Sequence, residues 1–211
     1  MNAITHHIPD TMIAAYVSGN LPHPFAMVVA AHISLCTECS ASLGAHQAIG
    51  GALLERSDNV AVSSGMKNDL MAMLDTPIRS EPIFDAKGIF PSPVMEALKG
   101  KPPRWKTLGM GVKQSILTEV GGGSVRLIYI PAGQAVPDHS HSGLELTLVL
   151  QGSFSDETGR FGVGDVEIGD ENLEHTPMAD AGDACICLAA TDAPLQFSSF
   201  LPRLLQPIFR I

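Results

Sequence analysis

Residues 10–75 carry apolar side chains at steps of three and four, the period of helices with one buried face. Asp10 or Thr11 is placed to cap "MIAAYVS", with Gly19 as the stop signal. "FAMVVAAHISL" is apolar almost all round, which predicts a helix that is buried or faces a partner. The pattern resumes after Thr37 through "ASLGAHQAIGGALLER", with Gly50-Gly51 as its weak spot. Ser64 is placed to cap a last short helix on which Met66, Leu70, Met73 and Leu74 form a stripe. Core packing is the default reading of that stripe. Four short helices bury little, however, so apolar surface is expected to remain for another protein.

The stretch "TPIRSEPIFDAKGIFPSPVMEALKGKPPR" holds six prolines and predicts a connecting segment with at most one helical turn near "VMEALKG". From Trp105 the period drops to two. The runs "KQSILTEV", "VRLIYIP", "LELTLVLQG", "GDVEI", "DACICLAA" and "LQFSSF" alternate with turn signals, which predicts a small antiparallel sandwich or barrel. In "LELTLVL", Leu144, Leu146, Leu148 and Leu150 share one face, and Glu145, Thr147 and Val149 share the other. The leucine face must be covered by a second sheet, by the helical half or by another subunit. The predicted organisation is therefore a helical domain over residues 1–76, a Pro-rich linker over 77–104 and a β domain over 105–211. No internal repeat is visible.

Composition narrows the function classes. The 211 residues are 45% hydrophobic and 17% charged, as in a folded protein, and the longest apolar runs are too short to cross a bilayer. The opening "MNAITHHIPDT" has neither the basic segment nor the apolar core of a secretory signal, so a cytoplasmic location is expected. A net charge of −9 argues against a direct grip on nucleic acid or an anionic membrane, and favours a basic protein partner or a small molecule.

Four cysteines in a reducing compartment point to metal or redox chemistry more than to disulfides. In "HISLCTEC", His32, Cys36 and Cys39 return to one face of a helix or converge at a turn, a thiolate and imidazole set suited to tetrahedral Zn²⁺. The fourth ligand must come from elsewhere, and His6, His7, His23 and His46 are all available. A closed four-ligand site does no chemistry on water, and in a thin domain its metal contributes on the order of 10 kcal/mol to folding. These residues reproduce the HxxxCxxC motif of the zinc-binding anti-sigma factors, and the histidine pair near the N-terminus resembles the ChrR branch. The resemblance implies His7, His32, Cys36 and Cys39 as ligands. It also implies a helical domain that holds an extracytoplasmic-function-type sigma factor off RNA polymerase.

"GQAVPDHSHSGLELTLVLQG" carries a second set. His139, His141 and Glu145 have one parity, so on a strand they point the same way and leave coordination positions open. With Gly133 and Gly152 they match the first cupin motif, G-x5-HxH-x3-E-x6-G. The resemblance implies a jelly-roll cupin barrel whose last ligand comes from "DENLEHTP". His175 is the natural choice there, with Glu174 as its rival. Zn²⁺, Mn²⁺, Fe²⁺ and Ni²⁺ all accept three histidines and a glutamate. Cys185 and Cys187 alternate on one strand; inert packing is their default reading, and an oxidant-sensitive pair the functional one.

The resemblance covers nearly the whole chain, including the closing "LPRLLQPIFRI". It implies a regulator rather than an enzyme, one that releases its sigma factor under oxidative stress from singlet oxygen or organic hydroperoxides. The competing class is a metal-dependent cupin enzyme, a dioxygenase or isomerase. No cluster of arginines supports a substrate site, since only Arg126 and Arg160 lie close in sequence. A homodimer through the cupin domain is a further expectation.

Overall fold

The computed structural model describes residues 3–74, 82–120, 122–136, 139–141, 143–171, 173–193 and 195–197, with backbone alone for 139–141 and 195–197. The closing run therefore lies outside the described residues. Proline opens both N-terminal helices. Helix α1 (Asp10–Val17) begins after Pro9 and α2 (His23–Ile33) after Pro22. Proline lacks only an N–H that a first turn leaves unpaired. Neither Asp10 nor Thr11 caps α1. The Asp10 carboxylate accepts instead from Ser42 Oγ and lies 3.0 Å from His46 Nε2, which ties α1 to α3. Helix α1 closes with Gly19 N–H on the Tyr16 carbonyl and Asn20 N–H on that of Ala15, a paired C-terminal cap.

Helix α3 (Thr37–Glu55) turns away from α2 by 117° and runs through Gly50-Gly51 without a break. Helix α4 (Met66–Met73) starts after Gly65, with no side-chain cap from Ser64. The expectation that its stripe packs into a core is overturned, because Met66, Leu70, Met73 and Leu74 are all exposed, Leu74 at 70%. Amphipathic spacing specifies an apolar face but not a cover for it, and the sheet's apolar face is already taken by α2.

The strands are β1 (Lys106–Gly109), β2 (Val112–Val120), β3 (Gly123–Ile130), β4 (His139–His141), β5 (Glu145–Gln151), β6 (Ser153–Ser155), β7 (Arg160–Gly162), β8 (Val166–Gly169), β9 (Glu174–His175), β10 (Met178–Ala179), β11 (Cys185–Thr191) and β12 (Leu195–Phe197). A six-stranded antiparallel sheet in the order β1-β2-β3-β11-β5-β8 forms one layer, and two three-stranded sheets, β10-β6-β7 and β12-β4-β9, complete the fold. The architecture is a jelly-roll sandwich of the cupin type; among the described residues the sheets do not close into a continuous barrel.

Alternation on the central strands divides two cores. Outward, Leu146, Leu148, Leu188, Val125 and Leu127 pack in one cluster with Phe25, Val28 and Val29 of α2. The helical half is thus what covers the leucine face. Inward, Val149, Cys185 and Cys187 pack with Phe154, Phe161 and Ala179 of the opposing sheet. Each fully buried aliphatic or aromatic side chain contributes about 1.5–3 kcal/mol, so α2 is a principal tie between helices and sheet. The proline-rich stretch contains α5 (Ser92–Ala97), whose Val94 joins the outer core.

Candidate metal centres

Four side chains converge where α1, α2 and α3 meet. His7 lies just before α1, His32 in the last turn of α2, Cys36 at the N-cap of α3 and Cys39 in its first turn. Their ligand atoms all lie within 4.8 Å of one another. His32 Nε2 is 3.2 Å from Cys39 Sγ, and His7 Nδ1 is 3.3 Å from Cys36 Sγ and 3.7 Å from Cys39 Sγ. Tetrahedral Zn²⁺ with bonds of about 2.3 Å to sulfur and about 2.0 Å to nitrogen places such atoms about 3.5 Å apart, so the residues fit that ion. Burial, and then the neighbouring Cys36, push the Cys39 thiol up to about 11. A cation is what would make it a thiolate at neutral pH. The other candidate histidines are engaged elsewhere or lie apart: His46 pairs with Asp10, His6 lies against Phe161 and Asp165, and His23 opens α2 outside the group.

The second set lies on β4, β5 and β9, and among the described residues the ligand atoms that converge there are those of Asp156, Glu167 and His175. The β4–β9 register puts His139 directly opposite His175. The side chains of His139 and His141 lie outside the described residues. Glu145 opens β5, where Thr147 Oγ1 donates to its carboxylate at 2.9 Å. His175 is buried and Glu174 beside it is exposed, as alternation requires. His175 Nδ1 lies 2.7 Å from Asp156 Oδ2 and 3.3 Å from Glu167 Oε1. Burial pushes Glu167 up to about 7. Asp156 is raised by burial, but its hydrogen bonds from Glu167, His175 and Thr158 outweigh this and hold it below the ordinary carboxylate range. Nearby, Arg126 is buried and donates to Gln114 Oε1 and Ser124 Oγ.

Comparison with known proteins agrees with both halves. A family profile described as the ChrR cupin-like domain matches residues 97–194. The anti-sigma-E factor ChrR of Cereibacter sphaeroides is 54% identical over 211 residues, covering 99% of each chain. The chain belongs to the ChrR family of anti-sigma factors. A crystal structure of Rhodobacter sphaeroides SigE in complex with the anti-sigma ChrR superposes with a TM-score of 0.81 at 50% identity, covering 90% of this chain and 100% of that one. As a member of the ChrR family the chain is a regulator and not an enzyme.

The cysteine pair on β11 is enclosed. Cys185 and Cys187 are buried with sulfurs 3.4 Å apart, and the hydrogen bond from Cys185, followed by burial, raises the Cys187 thiol well above its ordinary value. Residues two apart on a strand span about 6.8 Å, the outer limit for a disulfide, so joining them requires the strand to move. Sequence reasoning missed Asp156 and Glu167. Glu167 was within reach, since in "GDVEI" it faces opposite to Val166 and Ile168. Asp156, in a turn 19 residues from its partner His175, left no local signal.

Proposed function

We propose that this chain sequesters an extracytoplasmic-function-type sigma factor through a helical unit over residues 1–76, closed by Zn²⁺ on His7, His32, Cys36 and Cys39. The sheet domain over 105–211, joined through 77–104, holds a second divalent metal (Zn²⁺, Mn²⁺, Fe²⁺ or Ni²⁺) on His139, His141, Glu145 and His175. It governs release under oxidative stress from singlet oxygen or organic hydroperoxides, with Cys185 and Cys187 as the candidate redox pair. The second metal supplies a Lewis-acidic centre with room for an exchangeable ligand. The protein's residues orient the ligands and keep the centre dry. Because its partner acts on RNA polymerase, the protein works in the cytoplasm and needs no nucleic-acid contact of its own.

The observation that carries this reading is the apolar surface left exposed on the C-terminal part of α3 and on α4. Ile49, Leu53 and Leu54 on α3, with Leu70, Met73 and Leu74 on or beside α4, are all more than half exposed. Exposed apolar residues in that number on a protein of charge −9 suit a partner with an apolar and basic face. The ChrR of the related complex is bound to a sigma factor, which supports the same class of partner here.

The test is a transcription assay with the cognate sigma factor and RNA polymerase. Wild type is expected to inhibit, and Cys36→Ser with Cys39→Ser to abolish inhibition together with one equivalent of zinc. A double variant that inhibits like wild type removes the cage from the mechanism.

A further inference from the structure

His32 uses both ring nitrogens. Nε2 faces Cys39, while Nδ1 lies 2.9 Å from the backbone carbonyl of Gly164, 132 residues along the chain. A carbonyl only accepts, so Nδ1 carries the proton and the Nε2 lone pair is aimed into the cage. Gly164 lies in the turn between β7 and β8 with φ +93°, and a Cβ there would overlap the side chain of Ile4.

Asp165 follows and is buried. Its Oδ1 accepts from the N–H groups of Thr5 at 2.6 Å and His6 at 2.9 Å, and its Oδ2 from that of Gly162 at 2.8 Å. Burial raises this carboxyl, but the three amides outweigh it and keep it below the ordinary range, so it is ionised at neutral pH. Val166 N–H then donates to the His6 carbonyl at 3.1 Å. Asp165 and Val166 therefore hold residues 5 and 6, immediately before the cage ligand His7.

We propose that the β7–β8 turn, Gly164 to Val166, is the outer coordination sphere of the N-terminal cage. It fixes the tautomer of His32 and holds the backbone that aims His7, so the sheet half helps set metal affinity in the helical half. Gly164 and Asp165 are positioning residues in this arrangement. The inference rests on the cage holding a metal, as proposed above, and deepens it. Strand β8 continues two residues on to Glu167, which touches His175, so one strand reaches both centres without passing through 77–104.

The experiment uses the full chain titrated with Co²⁺, then competed with Zn²⁺. Thiolate-to-cobalt charge-transfer absorption reports the cage, because the sheet ligand set has no thiolate. Asp165→Ala is expected to lower cobalt affinity at that band by about 10- to 100-fold and to speed metal loss to a chelator. Asp165→Asn, whose amide oxygen still accepts from Thr5 and His6, is expected to recover most of it. Thr5→Pro deletes one of these bonds from the helical side, leaves the sheet intact and decides the matter if Asp165→Ala does not fold. Wild-type affinity and exchange in the folded variants overturn the proposal, including the case where only the metal-free melting point drops. A wild type that shows the thiolate band but binds no sigma factor overturns the proposed function and leaves this inference standing.

Discussion

His175 Nδ1 and Asp156 Oδ2 lie 2.7 Å apart, both shut off from solvent, across a 19-residue stretch that leaves β6 and returns on β9. The bond does for the sheet site what the Gly164 carbonyl does for the cage. It commits one nitrogen of the ring, Nδ1, to a buried carboxylate. Glu167 Oε1, 3.3 Å away, closes the same side.

Removing that partner should loosen the ring without touching the proposed ligands His139, His141, Glu145 and His175. Asp156→Ala is expected to lower metal affinity at the sheet site by about 10- to 100-fold, while the thiolate–cobalt band of the cage stays at wild-type strength. Calorimetric titration of the full chain, with the cage already loaded, checks this. Basal inhibition of the sigma factor is expected to persist. An unchanged affinity would mean that the β4–β9 pairing alone orients His175.

The same contacts fix a pH dependence for the metal-free protein. Burial disfavours the His175 imidazolium, but hydrogen bonds to Glu167 and Asp156 prevail and push it up to about 9. A folded value above the unfolded one of about 6.5 stabilises fully below that pH, and the gain is lost as pH rises through about 9. Glu167, raised to about 7, adds a fall of the same sign as pH rises from about 4.5 through about 7. The melting midpoint of the metal-free chain is therefore expected to decline between about pH 7 and about pH 9.5, and Asp156→Asn to flatten the decline. Metal competes with the proton for this ring, so apparent affinity at the sheet site should climb over the same interval. A midpoint that rises there contradicts the assignment.

Much of this was legible in the chain, and the physical reasons differ by element. Alternation in "LELTLVL" marked β5 and its two faces, because a strand's period of two is local. The cupin glycines mark positions where the backbone leaves the usual region, Gly133 at φ +73° and Gly152 at φ +67°. What covers a face is not local. The leucines could not name α2 as their cover, and the stripe of α4 could not announce that it has none. The choice between His6 and His7 followed from the resemblance alone. In the structure it follows from pairing: Asp165 and Val166 hold His6 on the sheet and leave His7 to the cage. Asp156 was invisible because its partner is brought by topology.

Packing makes a distinct prediction for α2. Val28 is fully buried between the helical half and the central strands. Val28→Ala is expected to cost about 1–3 kcal/mol by leaving a cavity where helices and sheet meet, read as a lower denaturation midpoint with an unchanged slope. Two separate transitions appearing in the variant would show that the halves unfold independently once that contact is weakened.

The exposed surface of α3 and α4 gives the sharpest test of partner recognition. Leu53 and Leu54 are 63% and 75% exposed and Leu70 57%, so a polar replacement there disturbs no core. Substitutions at such positions change stability by about 0.5 kcal/mol or less. At the centre of an interface, by contrast, loss of a large apolar side chain costs about 2 kcal/mol or more, and a buried unpaired carboxylate costs further. Leu54→Asp and Leu70→Asp are therefore each expected to weaken sigma-factor binding at least tenfold, with melting midpoint, zinc content and the thiolate–cobalt band all at wild-type values. Binding measured on immobilised full chain, with transcription inhibition in parallel, separates the two effects. Wild-type binding by both variants would move the docking surface away from these helices, because a charge cannot be buried at a contact without a measurable penalty.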